Sequence, residues 1–125
     1  MSNMRKILLV DDDVLSSHTF KMILESILSN DYNIYSLYSG INVVEEIEKN
    51  QYGVVFLDNK LPGKDGLSIL EEISRKKIDV KVVFLTGFDD EELIEKALQL
   101  GAVDYIPKGN TDINRIIDVV NTVCK

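Results

Sequence analysis

The sequence predicts an α/β fold, a five-stranded, doubly wound parallel sheet of the (βα)5 type. Strand-like and helix-like segments alternate five times along the 125 residues without a linker, and such alternation implies right-handed crossovers between parallel strands. Three short runs, at 7–10, 54–57 and 82–85, contain only Val, Ile, Leu and Phe. Apolar runs without polar alternation are typical of strands that are buried on both faces of a helix-covered sheet.

The first two strand–helix units meet at the polar pair 30–31, which we expect to end the first helix. Asp13 follows the first strand and is placed to cap that helix. The second strand, at 33–38, alternates apolar and polar residues as strands near a sheet edge do, and the turn-forming pair 39–40 opens the second helix. Helical spacing predicts apolar faces of Phe20, Ile23, Leu24, Ile27 and Leu28 in the first helix and of Val43, Val44 and Ile47 in the second.

The third and fourth units follow the same plan. The third strand starts at Gly53, and the loop at 58–66, rich in turn-forming residues, precedes the third helix. The fourth strand starts at Lys81, the acidic pair 89–90 favours the start of the fourth helix through the helix dipole, and that helix stops at 100–101. The predicted inward faces are Leu67, Leu70 and Ile73 in the third helix and Leu93, Ile94, Ala97 and Leu98 in the fourth.

The fifth unit completes the sheet. Its strand is short, at 103–106, and its helix starts near Thr111 or Asp112. For five such units we expect the flavodoxin-like strand order 2-1-3-4-5, in which strands one and three are neighbours. The predicted inward face of the last helix is Ile113, Ile116, Ile117, Val120 and Val123.

Composition limits the classes of partner. The net charge of −7 disfavours direct binding to nucleic acid or to an anionic membrane, because both depend on clustered Lys and Arg. The apolar runs are far too short to span a membrane, and the start of the chain lacks a secretory apolar segment. With a single cysteine, the sequence favours a reducing, cytoplasmic location.

Polar side chains follow the apolar strands where each strand ends. Asp11 and Asp12 follow the first strand, Asp58 the third and Thr86 the fourth. Ligands of such sheets bind at the carboxyl ends of the strands, so we expect these residues to share one crevice. Clustered carboxylates repel one another unless a cation lies among them. The sequence therefore predicts a metal site with a reactive aspartate.

Several motifs occur in a fixed order. They are Asp11–Asp12 after the first strand, Asp58 with Leu61–Pro62 and Asp65–Gly66 behind it, Thr86–Gly87 after the fourth strand, and the segment 101–106 that leads into Lys108. Together they resemble the receiver domains of two-component response regulators, those of chemotaxis among them, from the first strand to the last helix. The resemblance implies one receiver domain over residues 1–125, with no effector domain in this chain.

The resemblance implies the following chemistry. Asp58 accepts a phosphoryl group from a sensor histidine kinase or a phosphotransfer protein. Asp11, Asp12 and Asp58, with the backbone carbonyl of Lys60, hold Mg²⁺ or Mn²⁺, which suits hard oxygen ligands. The protein is then a signalling module that assists its own phosphorylation and dephosphorylation, and not an enzyme acting on a separate substrate.

The resemblance also assigns a switch. Thr86 and Lys108 hold the phosphoryl oxygens, and Tyr105 responds when Thr86 is drawn towards them. The change alters the surface of the fourth helix, fifth strand and fifth helix, to which a downstream protein target binds. The module acts as a monomer or as a phosphorylation-dependent dimer.

The chain departs from the family pattern near the site. Receivers usually have Pro directly after the lysine, whereas here Pro107 precedes Lys108 and Gly109 follows it. Lys60 and Phe88 lie two residues after Asp58 and Thr86, at positions that in the family influence access of the hydrolytic water. We hypothesise that this cation and this aromatic ring shield the acyl phosphate and slow its loss.

Two other functions stay open from the sequence. An interaction module with this fold that is never phosphorylated is supported only by Gly109. A haloacid-dehalogenase-like phosphatase would use Asp11 as nucleophile and Asp13 as acid, since residues 7–13 resemble the start of that family's motif. Separate substitution of Asp11 and Asp58 distinguishes the phosphatase from the receiver.

Overall fold

Five strands and five helices alternate along residues 5–87, 90–108 and 112–124, which are the residues that the computed structural model describes. The strands are β1 (Lys6–Val10), β2 (Asn33–Leu37), β3 (Val54–Asp58), β4 (Lys81–Thr86) and β5 (Asp104–Pro107). The helices are α1 (Val14–Ile27), α2 (Val43–Asn50), α3 (Gly66–Arg75), α4 (Glu91–Gln99) and α5 (Ile113–Cys124). Within these ranges, no helix has both the length and the apolar character needed to cross a bilayer.

The sheet is parallel throughout and has the order β2-β1-β3-β4-β5, so the predicted fold class and strand order are confirmed. Ile7 of β1 lies opposite Val54 of β3, and Val54 lies opposite Lys81 of β4. The ends of β1, β3 and β4 therefore lie side by side at one edge of the sheet, where polar side chains can meet.

The apolar residues of the central strands face two separate cores. Because successive side chains of a strand point to opposite faces, Leu8 packs with the helices α2, α3 and α4, whereas Leu9 packs with α1 and α5. In the second core the rings of Phe20 and Phe56 meet edge to face, with centroids 5.3 Å apart. Burial on both faces explains why these strands lack polar alternation.

The predicted cap of α1 is confirmed. The Asp13 carboxylate accepts hydrogen bonds from the backbone N–H groups of Leu15 (3.1 Å) and Ser16 (3.2 Å). Those amides have no acceptor within the helix, so the cap satisfies groups that would otherwise depend on water. It also fixes the direction in which the chain leaves β1.

Asp13→Ala is expected to lower the free energy of unfolding by about 1 kcal/mol, because the amides at the start of α1 lose their acceptor. Urea unfolding in the presence of a chelator measures the change. Asp12→Ala is the matched control, since Asp12 is an exposed carboxylate one residue earlier and is not the cap. Equal losses in the two variants would contradict a specific capping role.

Several predicted boundaries were wrong. Strand β2 ends at Leu37 rather than at Tyr38, and β3 begins at Val54 rather than at Gly53. Helix α1 ends at Ile27 rather than at 30–31, and β5 runs one residue later than predicted. Helix α2 begins at Val43, whereas the prediction had it open directly at the pair 39–40. The reason is a long-range contact: the Gly40 amide donates to the carbonyl of Pro62 at 3.0 Å, so this turn packs on the loop that follows β3 and is not the start of a helix.

Two residues predicted to face the core are exposed. Leu98 near the end of α4 and Ile113 at the start of α5 retain 45% and 48% of their accessible surface. Ile69 is buried, although it lies outside the predicted stripe of α3. The predicted apolar faces were therefore too wide in α4 and α5 and too narrow in α3.

Two predicted helix starts fall partly outside the described residues. Of the pair 89–90 only Asp90 is described, and it caps α4 by accepting from the Leu93 amide. Thr111, predicted near the start of α5, lies outside the described residues.

Candidate functional site

Three carboxylates meet at the edge of the sheet where β1 and β3 end. Asp11 and Asp12 directly follow β1, and Asp58 is the last residue of β3. One oxygen from each carboxylate can be chosen so that all three lie within 4.8 Å of one another. Asp11 is 1% exposed and Asp58 8%, whereas Asp12 is exposed to solvent. A set of hard oxygen donors at this separation can hold a divalent cation such as Mg²⁺.

Lys108 lies between two of these carboxylates. Its Nζ is 2.8 Å from an oxygen of Asp11 and 3.1 Å from an oxygen of Asp58. Its backbone N–H donates to the carbonyl of Thr86 at 2.6 Å, which ties the residue after β5 to the end of β4. The ammonium group therefore compensates the negative charge of this edge.

The protonation equilibria reflect burial and this pairing. Burial raises the pKa of the Asp58 carboxyl above its ordinary value, and the hydrogen bond and positive charge of Lys108 offset this only in part. Burial by itself lowers the pKa of Lys108, but its hydrogen bonds to Asp11 and Asp58 outweigh that effect, so its pKa is raised. Lys108 therefore stays protonated, and burial disfavours the charge of Asp58 even with this ammonium group beside it.

Asn59 fixes the orientation of Asp58 and was not predicted from the sequence. Its backbone N–H donates to Oδ1 of Asp58 at 2.8 Å, and its side-chain oxygen accepts from the Leu67 amide at 3.1 Å. The Gly66 amide donates to the Asn59 carbonyl at 2.8 Å. A Cβ on Gly66 would lie 2.4 Å from the carbonyl oxygen of Asp58, so only glycine permits this approach. The junction between β3 and α3 therefore holds the carboxylate in one position.

Thr86 supplies a buried hydroxyl at the end of β4. The residue is 1% exposed, and among the described residues its Oγ1 has no hydrogen-bond partner. A buried polar group without a partner costs about 1–3 kcal/mol. Thr86 lines a cleft of about 410 Å³ together with Asp12, Asp58, Lys60 and Lys108. An oxygen-rich group that enters this cleft can therefore satisfy the hydroxyl.

The remaining sequence-predicted residues fall in different places. Lys60 is exposed at the rim of the cleft. Tyr105, half-buried on β5, packs against the core that α2, α3 and α4 cover and is not among the residues that line the cleft. The Ile106–Pro107 peptide bond is trans. Phe88 and Gly109 lie outside the described residues.

Tyr105 has a partner that the sequence did not indicate. The guanidinium of Arg115 lies over its ring, with 4.9 Å between the guanidinium carbon and the ring centroid. Arg115 is also paired with Asp104 at 2.6 Å. Arg115 is a lone cation on a helix, and no local pattern relates it to a strand about ten residues earlier; only the packing of α5 beside β5 brings them together.

The geometry opposes the phosphatase alternative. The Asp13 carboxylate, which would have to act as the acid, is engaged as the cap of α1. Asp11, which would have to be the nucleophile, accepts a hydrogen bond from the Asp13 amide at 3.0 Å and does not line the cleft, whereas Asp58 does. Of the two carboxylates, only that of Asp58 lines the cleft.

Comparison with other proteins identifies one family. The family model described as the response regulator receiver domain matches residues 7–121. The receiver domain of the Francisella response regulator 1452 is 27% identical, with a TM-score of 0.78, over 94% of each chain. A LuxR-family DNA-binding response regulator from Staphylococcus aureus is 25% identical, with a TM-score of 0.78, over 96% of this chain and 98% of that chain.

A third solved structure is a complex that contains Mg²⁺. A chain of the CheX–CheY–BeF3–Mg²⁺ complex from Borrelia burgdorferi is 25% identical to this chain, with a TM-score of 0.81. The match covers 96% of this chain and 90% of that chain. In all three cases the similarity extends over nearly the whole length of both chains.

Proposed function

The chain belongs to the response regulator receiver domain family, and from this premise we propose that it accepts a phosphoryl group on Asp58 from a sensor histidine kinase or a phosphotransfer protein. One observation carries the proposal. The carboxylate of Asp58, the ammonium of Lys108 and the buried hydroxyl of Thr86 converge on one cleft. A nucleophile, a cation and a hydrogen-bond donor are the groups that phosphoryl transfer to a carboxylate requires.

The reaction forms one bond and breaks one. An Asp58 oxygen forms a bond to phosphorus while the bond from phosphorus to the donor's histidine nitrogen breaks, and the electron pair leaves with that nitrogen, which solvent protonates. The Asn59 amide holds the carboxylate in place for this attack. Lys108, a mobile point charge, follows a phosphoryl oxygen, and Thr86 donates its hydroxyl hydrogen to another.

The residues fit a divalent cation. Asp11, Asp12 and Asp58, whose oxygens lie within 4.8 Å of one another, would hold Mg²⁺ or Mn²⁺ together with the backbone carbonyl of Lys60. When bound, the ion supplies positive charge that reduces the repulsion between the carboxylate and the incoming phosphoryl group. The Mg²⁺ in the Borrelia burgdorferi complex supports this part of the proposal.

We further propose that phosphorylation is transmitted to the surface of α4, β5 and α5. Thr86 moves towards the phosphoryl oxygens and leaves room for the ring of Tyr105, so one charge event biases a two-state surface. A downstream protein target binds that surface, and the protein acts as a monomer or as a phosphorylation-dependent dimer. The net charge of −7 supports a protein target rather than nucleic acid or a membrane.

The experiment that tests the proposal is intact mass of the wild type after incubation with a small-molecule phosphodonor, with and without Mg²⁺. We expect a gain of one phosphoryl group that requires Mg²⁺, and reductive trapping of the acyl phosphate followed by peptide mapping should place it on Asp58. No gain by a folded protein in the presence of Mg²⁺ would overturn the proposal and favour the interaction module that is never phosphorylated.

Lys60→Ala is expected to shorten the half-life of the phosphorylated protein, because the exposed cation at the rim shields the acyl phosphate. A twofold effect, which corresponds to roughly 0.4 kcal/mol in the barrier, is large enough to measure by the decay of the mass peak. Lys64→Ala is the control, since Lys64 lies in the same loop but is paired with Glu72 and does not line the cleft. Equal decay of wild type and Lys60→Ala would contradict the shielding hypothesis. The same hypothesis predicts a shorter half-life for Phe88→Ala.

A further inference from the structure

The contacts of Arg115 form a single unit with Asp104 and Tyr105. Its guanidinium is 2.6 Å from Oδ1 of Asp104, donates to the carbonyl of Tyr105 at 2.9 Å, and lies over the Tyr105 ring. Arg115 belongs to α5 and the other two residues to β5. The planar, five-donor guanidinium suits such a site because it can stack on a ring while its N–H groups bind oxygen atoms in its plane.

The unit also satisfies the backbone of β5 at the sheet edge. Among the described residues, β5 is an edge strand of the sheet and pairs with β4 alone. The Tyr105 N–H donates to Oδ1 of Asp104 at 2.8 Å, and the Tyr105 carbonyl accepts from Arg115. Polar backbone groups of an edge strand otherwise need water or another chain as partner. The ion pair thus fixes the guanidinium relative to the backbone of Tyr105.

An ordinary surface ion pair would not hold a guanidinium in a fixed position beside an aromatic ring. Such pairs contribute about 0–1 kcal/mol, and Arg5 with Asp31, at 2.6 Å and with both side chains more than half exposed, is an example in this protein. The side chains of Arg115 and Asp104 are only 37% and 30% exposed. Arg115 also contacts the aromatic ring and a carbonyl, so moving the ring has an electrostatic cost beyond that of the ion pair itself.

We infer that Arg115 is a positioning residue for Tyr105: held by Asp104 and by the Tyr105 carbonyl, its guanidinium keeps the phenol ring in the half-buried position that it has in this structure and so sets how readily the ring moves inward. The inference rests on the proposed function, in which Tyr105 moves towards the space that Thr86 vacates. Inward movement of the ring gives up its contact with the cation, whereas the ion pair to Asp104 keeps the cation in place. Arg115 therefore biases the two-state equilibrium towards the unphosphorylated surface.

The size of the bias follows from the contact. A cation over a ring at a partly exposed site shifts a two-state equilibrium by about two- to tenfold. That bias is small enough for phosphorylation to overcome and large enough to set how much phosphorylation is needed. Arg115→Gln is expected to increase the inward population of Tyr105 by this factor before any phosphorylation.

The test is NMR of protein with ¹³C-labelled tyrosine rings. The chain has five tyrosines, and Tyr105→Phe identifies the signal of Tyr105. In the wild type we expect a nuclear Overhauser effect between the ring protons of Tyr105 and the side chain of Arg115. Arg115→Gln should remove this effect and shift the Tyr105 signals along the line that joins the unphosphorylated and phosphorylated wild type.

Three further variants sharpen the test. Arg115→Lys keeps a cation without the planar fork and should shift the Tyr105 signals less than Arg115→Gln. Asp104→Asn leaves Arg115 in place but weakens its anchor, so it tests the inference even if Arg115→Gln folds poorly. Arg5→Gln removes an exposed arginine from an ion pair elsewhere and should leave Tyr105 unchanged.

The outcomes separate the inference from the proposed function. Tyr105 signals that move no further in Arg115→Gln and Asp104→Asn than in Arg5→Gln would overturn the inference, whatever the mass measurement shows. The mass gain on Asp58 decides the proposed function independently, because the Overhauser effect and the size of the Tyr105 shift relative to Arg5→Gln are both measured on unphosphorylated protein; phosphorylated wild type serves only to give the direction of the shift. A wild type without the Overhauser effect would also overturn the inference.

Discussion

Asp58→Asn is expected to abolish the Mg²⁺-dependent gain of a phosphoryl group while leaving the fold intact. An amide oxygen is too weak a nucleophile to form the acyl phosphate, so the loss is complete rather than partial. The amide has the shape of the carboxylate and keeps an acceptor for the Asn59 N–H. Burial raises the pKa of Asp58, which means that folding disfavours its charged form, so a neutral isostere is not expected to destabilise the protein when no metal is bound.

The measurement is intact mass after incubation with the phosphodonor and Mg²⁺, with urea unfolding as the check on folding. Asp11→Asn is the matched variant, because it neutralises the other buried carboxylate of the site. We expect Asp11→Asn to require more Mg²⁺ but to carry any phosphoryl group on Asp58. A full gain in Asp58→Asn that disappears in Asp11→Asn would mean that Asp11 is the nucleophile.

Lys108→Ala is expected to raise the affinity for Mg²⁺ by about tenfold or more and to slow phosphoryl transfer. Nζ of Lys108 lies 2.8 Å from Asp11 and 3.1 Å from Asp58, so it competes with a metal ion for the same carboxylates. Two charges about 4 Å apart interact by roughly 4 kcal/mol at an effective dielectric constant of about 20. A tenfold change requires only about 1.4 kcal/mol of this. The same variant lacks the cation that would follow the phosphoryl oxygens, so transfer becomes slower although metal binds more tightly.

Isothermal titration with Mg²⁺ and the rate of mass gain measure the two effects of Lys108→Ala. Lys60→Ala is the control for loss of one positive charge at the cleft, since Lys60 is exposed at the rim. If both variants bind Mg²⁺ with the same affinity, simple charge explains the result and direct competition by Lys108 is wrong. An unchanged transfer rate in Lys108→Ala would contradict its proposed contact with the phosphoryl group.

Much of the fold could be predicted because its signals are local. The apolar run at 7–10 is continuous since both faces of β1 are buried, and Asp13 caps α1 with bonds that reach only two and three residues along the chain. The strand order followed from the alternation of strands and helices, which leaves few topologies open. The shared edge of Asp11 and Asp58 followed from that order.

Other boundaries depended on contacts between distant segments. The pair 39–40 has the composition of a helix start, but Gly40 binds Pro62 across the top of the sheet and the helix begins three residues later. Leu98 has the spacing of a core residue, yet it stays 45% exposed although Ala97 beside it is buried. Periodicity reports which face of a helix is apolar, and only the neighbouring elements decide how much of that face they cover.

The sequence by itself determined the class of fold, the strand order and the group of acidic residues at one edge, because each depends on residue type and spacing along the chain. Only the tertiary structure decided that Lys108 bridges Asp11 and Asp58, that Asn59 orients the acceptor carboxylate, and that Arg115 lies over Tyr105. The physical reason is that these contacts depend on where side chains from separate elements end in space. A lysine 50 residues from Asp58 leaves no local pattern that would indicate the bridge.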